Sequence, residues 1–392
     1  MATTQTTKAC VLHGIKDLRI EQREVPPLGP DELQLAVCAT GLCGSDLHYY
    51  HQYRNGDILV REPLALGHES AGVVLAVGDA VPKDVFKVGD RVAIEVGIPC
   101  GKCARCTEGA YNICKEMRFR SSAKSFPHFQ GTLQGVINQP AAWCHKLPEN
   151  VSLEEGALLE PMSVAIHAVR RSKIPAGSTC LVLGAGAVGL LTAAMLVAHG
   201  AETVVISDID ARRVSFAVDN GFADRGVVMP RRSGSTVDEK LEIARDAASL
   251  MGQQCHRGTE TPIGEFDAVF ECTGVEPCMQ AAIYASRPGG RVLIIGMGTP
   301  IQTLPISAAA LREVDLIGVF RYASTYEYGI DLLSGKVDVQ LAGGRPLPDV
   351  KKLVTHRFKN LEAAREAFEM AGKPADQDGN LVLKVMIQSD SH

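Results

Sequence analysis

Four cysteines, Cys100, Cys103, Cys106 and Cys114, fall within 15 residues, with gaps of two, two and seven. Zinc takes soft thiolate ligands in a tetrahedron, and short spacings wrap one ion at little cost in loop entropy. All four positions would be filled by protein, so the expected site is closed and structural rather than catalytic. An iron–sulfur cluster or free thiols are the other readings of the same spacing.

A second set of metal-ligating types is dispersed. Gly41–Tyr50 (GLCGSDLHYY) offers Cys43, Ser45, His48 and Tyr49. Leu66–Gly72 (LGHESAG) offers His68 and Glu69, and Ala157–Ala168 offers Glu160. One thiolate, one imidazole and one or two carboxylates make a zinc set with a position left open for water or substrate. From spacing alone, His68-Glu69 reads equally as the start of a strand and Cys43 as a core thiol.

Gly184-Ala185-Gly186-Ala187-Val188-Gly189 is a G-x-G-x-x-G between an apolar strand pattern (CLVL) and a helical one (LLTAAMLVAHG). The first glycine suits a tight turn. The second lets backbone approach a pyrophosphate, and the third lets helix and strand pack closely. The phosphates would face the helix N-terminus. The next strand pattern ends in Asp208, 19 residues after Gly189. A carboxylate there accepts both adenosine ribose hydroxyls and repels a 2′-phosphate, which favours NAD over NADP. Arg212 or Arg213 could flank that ribose or belong to a solvated helix face.

The elements that must hold these residues show two rhythms. Residues 8–150 read as short β segments, among them Lys8–Leu12, Glu32–Ala39, Glu69–Val77 and Arg91–Val96, punctuated by turns. Residues 152–173 read as helix, with Ser152 and Glu155 spaced as a capping box. From Ser178, apolar strands at 180–184, 203–208, 266–274 and 289–298 alternate with helices, which implies a parallel sheet covered on both faces. A helix is expected over Val237–Leu250 and a helix and closing strand beyond residue 350. Segment 251–265 reads as a polar surface loop, with Cys255-His256 a less favoured metal pair.

Composition removes several classes. The chain has 392 residues, 46% apolar and 22% charged, enough for two or three cored domains. Net charge is −5, so no basic field invites nucleic acid or anionic lipid. Leu181–Ala198 has the length of a membrane span, but its glycines divide it into strand, turn and helix. MATTQTTKAC carries no apolar signal-like stretch. Four of the 12 cysteines cluster instead of spreading as pairs, so a cytoplasmic, non-membrane protein is expected.

Taken in order, CGSDLHYY (43–50), LGHESAG (66–72), GDRVAIE (89–95), the cysteine quartet, EEGALLEPMSVAIHA (154–168), GAGAVG (184–189), ECTG (271–274), REVDLIGVFRY (312–322) and LVTHRF (353–358) resemble the zinc-dependent medium-chain dehydrogenases. The branch resembled is that of the sorbitol, xylitol and arabinitol dehydrogenases. The resemblance implies an α/β chain: a GroES-like β-rich catalytic domain, 1–165 and 306–392, interrupted by a doubly wound Rossmann domain, 166–305. It implies a catalytic zinc on Cys43, His68 and Glu69, with Glu160 as a fourth ligand or holding the zinc-bound water. Ser45 and His48 match the proton-relay positions. Tyr49, Phe119, Glu160, Arg321 and Tyr322 match positions near the polyol. Asp208 and Arg213 match ribose contacts, and Val188 and Thr273 complete the expected NAD set. The full cysteine quartet departs from the animal sorbitol enzymes and is more like fungal or microbial members. Phe320-Arg321-Tyr322 is more like the sorbitol and xylitol enzymes than the arabinitol ones. The implied activity is NAD-dependent oxidation of a secondary hydroxyl of a sugar alcohol by a homotetramer. Alternatives are an L-arabinitol 4-dehydrogenase, a galactitol-type enzyme and, remotely, a non-catalytic protein that kept the fold.

Overall fold

The computed structural model describes residues 5–340 and 343–389. It divides into two compact units, one of residues 1–160, 326–334 and 350–392 and the other of 161–325 and 335–349.

The first unit is built on a seven-stranded sheet whose centre is Glu32–Gly41. Glu69–Val77 pairs antiparallel on one side of that strand, with Gly41 opposite Glu69. Lys384–Gln388 pairs antiparallel on the other side, with Met386 opposite Gly41. The closing strand read near the C-terminus therefore lies beside residues 39–41. Strand Glu69–Val77 has the bounds read from sequence, and the strand read as Arg91–Val96 ends at Ile94. Thr6–Gly14 pairs with Asp17–Glu24 as a hairpin in a separate small sheet.

The second unit is a six-stranded, all-parallel sheet. Its order is Arg225–Val228, Thr203–Asp208, Thr179–Leu183, Phe266–Glu271, Ser286–Ile294, Asp315–Gly318, or 3-2-1-4-5-6 in chain order. That order places a switch point at Thr179–Leu183, where open α/β sheets bind ligands beyond their carboxyl ends. The inner strands are buried on both faces, as their unbroken apolar sequences require. The sixth strand, Asp315–Gly318, pairs with Ser286–Ile294, so the unit runs past residue 305 to 325. The physical reason is that Leu316 and Ile317 extend the ladder and need a partner strand.

The helix expected over 152–173 is Leu153–Ser172, and the boundary between the units falls within it, at Glu160–Pro161. The Ser152 hydroxyl accepts the Glu155 N–H at 3.2 Å, and the Glu155 carboxylate accepts the Ser152 N–H at 2.8 Å, closing the capping box. Val237–Gly252 is likewise helical and capped by Thr236 and Glu239. The apolar stretch 181–198 turns at Gly184, with φ +95°, between strand Thr179–Leu183 and helix Ala187–His199. Among the described residues no helix is long and apolar enough to cross a membrane.

Candidate metal centres and dinucleotide turn

Cys43 lies two residues beyond the central strand Glu32–Gly41 and caps the helix Gly44–Gln52 in extended backbone, φ −99° and ψ 155°. His68 and Glu69 open the neighbouring strand at Glu69–Val77. The register that sets Gly41 against Glu69 draws the two segments together. One ligand atom each from Cys43, His68 and Glu69 lies within 4.8 Å of the others. A Cβ on Gly41 would sit 2.3 Å from a Glu69 carboxylate oxygen, so glycine there leaves room for that carboxylate. Glu160 is buried at 5% but is not part of this three-residue group.

Asp46, three residues into the helix, supports the set. Its carboxylate accepts the Cys43 N–H at 3.2 Å, the Gly67 N–H at 3.1 Å and the Ser121 hydroxyl at 2.8 Å. It also lies 3.3 Å from His68 Nδ1. Burial pushes the Asp46 carboxyl up, but the His68 imidazole and these hydrogen bonds more than offset it, so it titrates below its ordinary range. Held at Nδ1, His68 turns Nε2 toward the Ser45 hydroxyl, 3.5 Å away. A carboxylate on the distal nitrogen is how a metal-ligating imidazole is oriented and made more basic. The Phe119 ring packs beside His68, centroids 5.7 Å apart.

Lys384, on the strand beside Gly41, is buried at 4%. Its ammonium donates to both Glu69 carboxylate oxygens at 2.7 Å and to the Leu42 carbonyl at 3.1 Å. Burial disfavours its charge, but Glu69 and Cys43 outweigh that, so it stays protonated. Neither Asp46 nor Lys384 was among the residues singled out from sequence. Asp46 carried a signal, a carboxylate three residues after a helix-capping position. Lys384 carried none, because it lies 315 residues from Glu69.

Of the other residues expected here, His48 is half-buried on the Gly44–Gln52 helix. Tyr49, expected at the polyol, is 2% exposed in a core cluster, and its hydroxyl accepts the Ala123 N–H at 3.2 Å. Arg321 and Tyr322 belong to the second unit, Arg321 with φ +52° and its guanidinium over the Phe320 ring.

The cysteine quartet closes as its spacing predicts. Sulfur–sulfur distances are 3.5 Å for Cys103–Cys106 and 3.9 Å for Cys100–Cys106 and Cys103–Cys114. A zinc–sulfur bond of about 2.3 Å sets tetrahedral edges of about 3.8 Å, whereas a disulfide would need about 2.05 Å. The donor set therefore fits zinc. Backbone N–H groups of Lys102 and Cys103 bring the Cys100 thiol down to about 7, toward the ligating thiolate. Tyr111 ties this lobe to the sheet, donating to Glu95 at 2.7 Å and meeting Trp143 edge-on. Among the described residues Cys255 and His256 join no such group. Cys255 bridges to Pro262, and His256 Nδ1 lies 3.1 Å from Glu202.

In the second unit the glycine turn follows strand Thr179–Leu183 directly. A Cβ on Gly189 would sit 1.8 Å from the Gly184 carbonyl, and one on Gly184 would sit 2.7 Å from Thr273 Cγ2, so both glycines answer protein neighbours. A Cβ on Gly186, the helix cap, would meet nothing nearer than Arg213 Nη1 at 3.6 Å. Backbone left open there is what the approach of a pyrophosphate requires, so the turn fits a dinucleotide. Asp208 ends the next strand and accepts N–H groups of Ala185 at 2.7 Å and Asp210 at 2.9 Å, one on each oxygen. Each carboxylate oxygen keeps a lone pair for a ribose hydroxyl. Val188 lies in the first turn of the helix Ala187–His199.

Known proteins agree with this architecture. Residues 29–149 match the alcohol dehydrogenase GroES-like domain, and residues 187–335 match the zinc-binding dehydrogenase domain. The sorbitol dehydrogenase of Homo sapiens is 40% identical over 381 residues, covering 97% of this chain and 95% of that protein. The L-idonate 5-dehydrogenase of Vitis vinifera is 37% identical over 380 residues, covering 96% and 93%. Among solved structures, the Escherichia coli L-idonate 5-dehydrogenase superposes with a TM-score of 0.81 at 25% identity, covering 98% of this chain and 99% of that one. With both domains matched and near-complete coverage at this identity, the chain belongs to the zinc-dependent medium-chain dehydrogenases, in the branch that includes the sorbitol dehydrogenases.

Proposed function

We propose that the protein oxidises a secondary hydroxyl of an open-chain sugar alcohol, sorbitol or xylitol foremost, to the ketose with NAD as acceptor. The observation that carries the reading is the convergence of Cys43, His68 and Glu69 from two segments into one largely buried corner. Zinc bound there supplies electrophilic stabilisation of charge developing on the reacting oxygen, and NAD supplies the hydride acceptor. The chain's own residues do the rest. Asp46 fixes the His68 ring, and Lys384 fixes the Glu69 carboxylate. Ser45 takes the hydroxyl proton and passes it toward His48. Glu160 adds a buried carboxylate as a fourth ligand or as the holder of a water. Phe119, beside His68, walls the substrate, while Glu160, Arg321 and Tyr322 are assigned to the polyol by family likeness. Gly184, Gly186, Val188, Gly189, Asp208, Arg213 and Thr273 hold NAD, and the Asp208 carboxylate disfavours NADP. The second zinc, on Cys100, Cys103, Cys106 and Cys114, is structural.

Homotetrameric assembly in the cytoplasm belongs to the same proposal. Asp315–Gly318 is an edge strand of the second unit's sheet, and Ile301 and Leu311 are 87% and 86% exposed, features that a second copy would cover. The described cysteines are all free, as in a reducing compartment. The likeness to L-idonate 5-dehydrogenases favours a second reading, oxidation of a sugar acid at the same site. Initial rates of NADH formation with sorbitol, xylitol, L-arabinitol, galactitol and L-idonate, with NAD and then NADP, test both. Highest kcat/KM with sorbitol or xylitol and NAD is expected. A preference for L-idonate selects the second reading, and no reduction with any of them refutes both.

Two substitutions probe the supporting shell. Asp46→Asn should weaken zinc retention at the Cys43 set about 10- to 100-fold in chelator competition. Lys384→Met should cost about 3–5 kcal/mol of unfolding free energy in the zinc-free protein, where Glu69 is left buried and unpaired. Zinc should reduce that penalty by neutralising Glu69, and denaturant melts with and without metal measure it.

A further inference from the structure

Glu271 ends the strand Phe266–Glu271 with no exposed surface. No lysine, arginine or histidine pairs with it among the described residues. Its carboxylate folds back on the adjoining turn, accepting the Thr273 N–H at 2.7 Å, the Thr273 hydroxyl, and the Gly274 N–H at 2.9 Å. Burial alone is the largest influence on this acid and pushes its titration upward. A buried carboxylate without a counter-cation costs folding free energy even when hydrogen-bonded. A fold under no other demand would satisfy a three-residue turn more cheaply.

The turn it pins is tightly set. Thr273 Cγ2 lies against Gly184, the first glycine of the dinucleotide turn. Gly274, with φ +75°, is wedged against the loop after the next strand. A Cβ on Gly274 would fall 2.4 Å from the Gly298 nitrogen, and one on Gly296 would fall 2.1 Å from the Gly274 nitrogen. The Gly274 carbonyl accepts the Thr299 N–H at 3.0 Å and the Gln302 side-chain amide at 3.1 Å. The turn that Glu271 pins thus touches two further loops at the carboxyl edge of the sheet, those after Leu183 and Ile294.

We propose that Glu271 is a positioning residue for the dinucleotide. Its carboxylate holds Thr273 and Gly274 so that the turn seats on Gly184 and the crevice is shaped before the ligand arrives. It touches no ligand itself. Pre-shaping lowers the ordering cost of binding, so its removal appears as lost affinity. The inference rests on the reading of the Gly184–Gly189 turn as the NAD site. Stability and affinity should move apart, because the group that shapes the crevice is also one whose burial is unfavourable.

The test is NADH fluorescence titration of the zinc-loaded protein, with thermal unfolding measured alongside without NADH. Wild-type protein that fails to bind NADH refutes the NAD site itself, a failure distinct from any seen only in the variants. With wild type binding, Glu271→Gln should raise the NADH dissociation constant about tenfold, leave two zincs per chain, and keep or raise the midpoint of unfolding. The amide keeps one acceptor oxygen for Thr273 but puts a donor where the other oxygen accepts the Gly274 N–H, and it carries no buried charge. Thr273→Val, which removes one donor and keeps the shape, should raise the constant a few-fold, so the inference stays testable if Glu271→Gln does not fold. NADH affinity unchanged in both variants overturns the proposal. A weaker affinity with a matching drop in the unfolding midpoint also overturns it, because Glu271 would then be structural only.

Discussion

Cys43→Ser and His68→Ala should each abolish polyol oxidation, by roughly a thousandfold or more in kcat/KM, while NADH affinity stays within about twofold of wild type. A metal that stabilises an oxyanion contributes several kcal/mol, and each 1.36 kcal/mol is about a factor of ten in rate. Cys43, His68 and Glu69 share one corner of the first unit, whereas the glycine turn and Asp208 belong to the second. Serine is close to cysteine in size but gives zinc no thiolate. His68→Ala removes the one imidazole of the set and strands Asp46, whose carboxylate then faces only Ser121, Cys43 and Gly67. Steady-state rates and NADH titration on the same preparations check both halves. Oxidation surviving in either variant, or NADH binding lost along with it, contradicts the assignment.

Cys103→Ser should act in the opposite way, on stability rather than chemistry. Its sulfur is within 3.9 Å of those of Cys106 and Cys114, and it caps the short helix Ala104–Thr107. Losing one thiolate of four opens the closed site and releases its zinc. The lobe then keeps its ties through Tyr111, to Glu95 and Trp143. A loss of about 3 kcal/mol is expected, lowering the unfolding midpoint by roughly 6–12 °C for domains of this size. At temperatures where the variant is folded, KM for the polyol should be unchanged. Scanning calorimetry with zinc analysis measures the first effect and initial rates the second. An undisturbed midpoint with one zinc lost would show that the lobe holds without its metal.

Local pattern carried much of this into view. Four cysteines in 15 residues must be near one another, and their sulfurs meet at tetrahedral edge lengths. The strands around Leu181, Val205 and Val269 were legible because a strand buried on both faces is apolar throughout. Glycine's roles at 184 and 189 came from sterics that depend on the turn alone. Other features depend on pairing between remote segments. Lys384 reaches Glu69 only because its strand adds beside Gly41, a register no local window contains. The strand at Asp315–Gly318 is short and half-exposed, with only two apolar residues, too few for a periodicity. Tyr49 sits next to His48 in a helix of mixed character, and sequence does not say that its ring turns into the core.

Zinc count and NADH formation, followed together as a chelator is titrated into the wild-type protein, bear most directly on the catalytic zinc. Two zincs per chain at the outset are expected. Activity should fall in step with one of them and return when zinc is restored, and Cys43→Ser should begin with the other alone. Full polyol oxidation persisting after the Cys43, His68 and Glu69 centre has lost its ion would contradict metal-dependent oxidation at that centre.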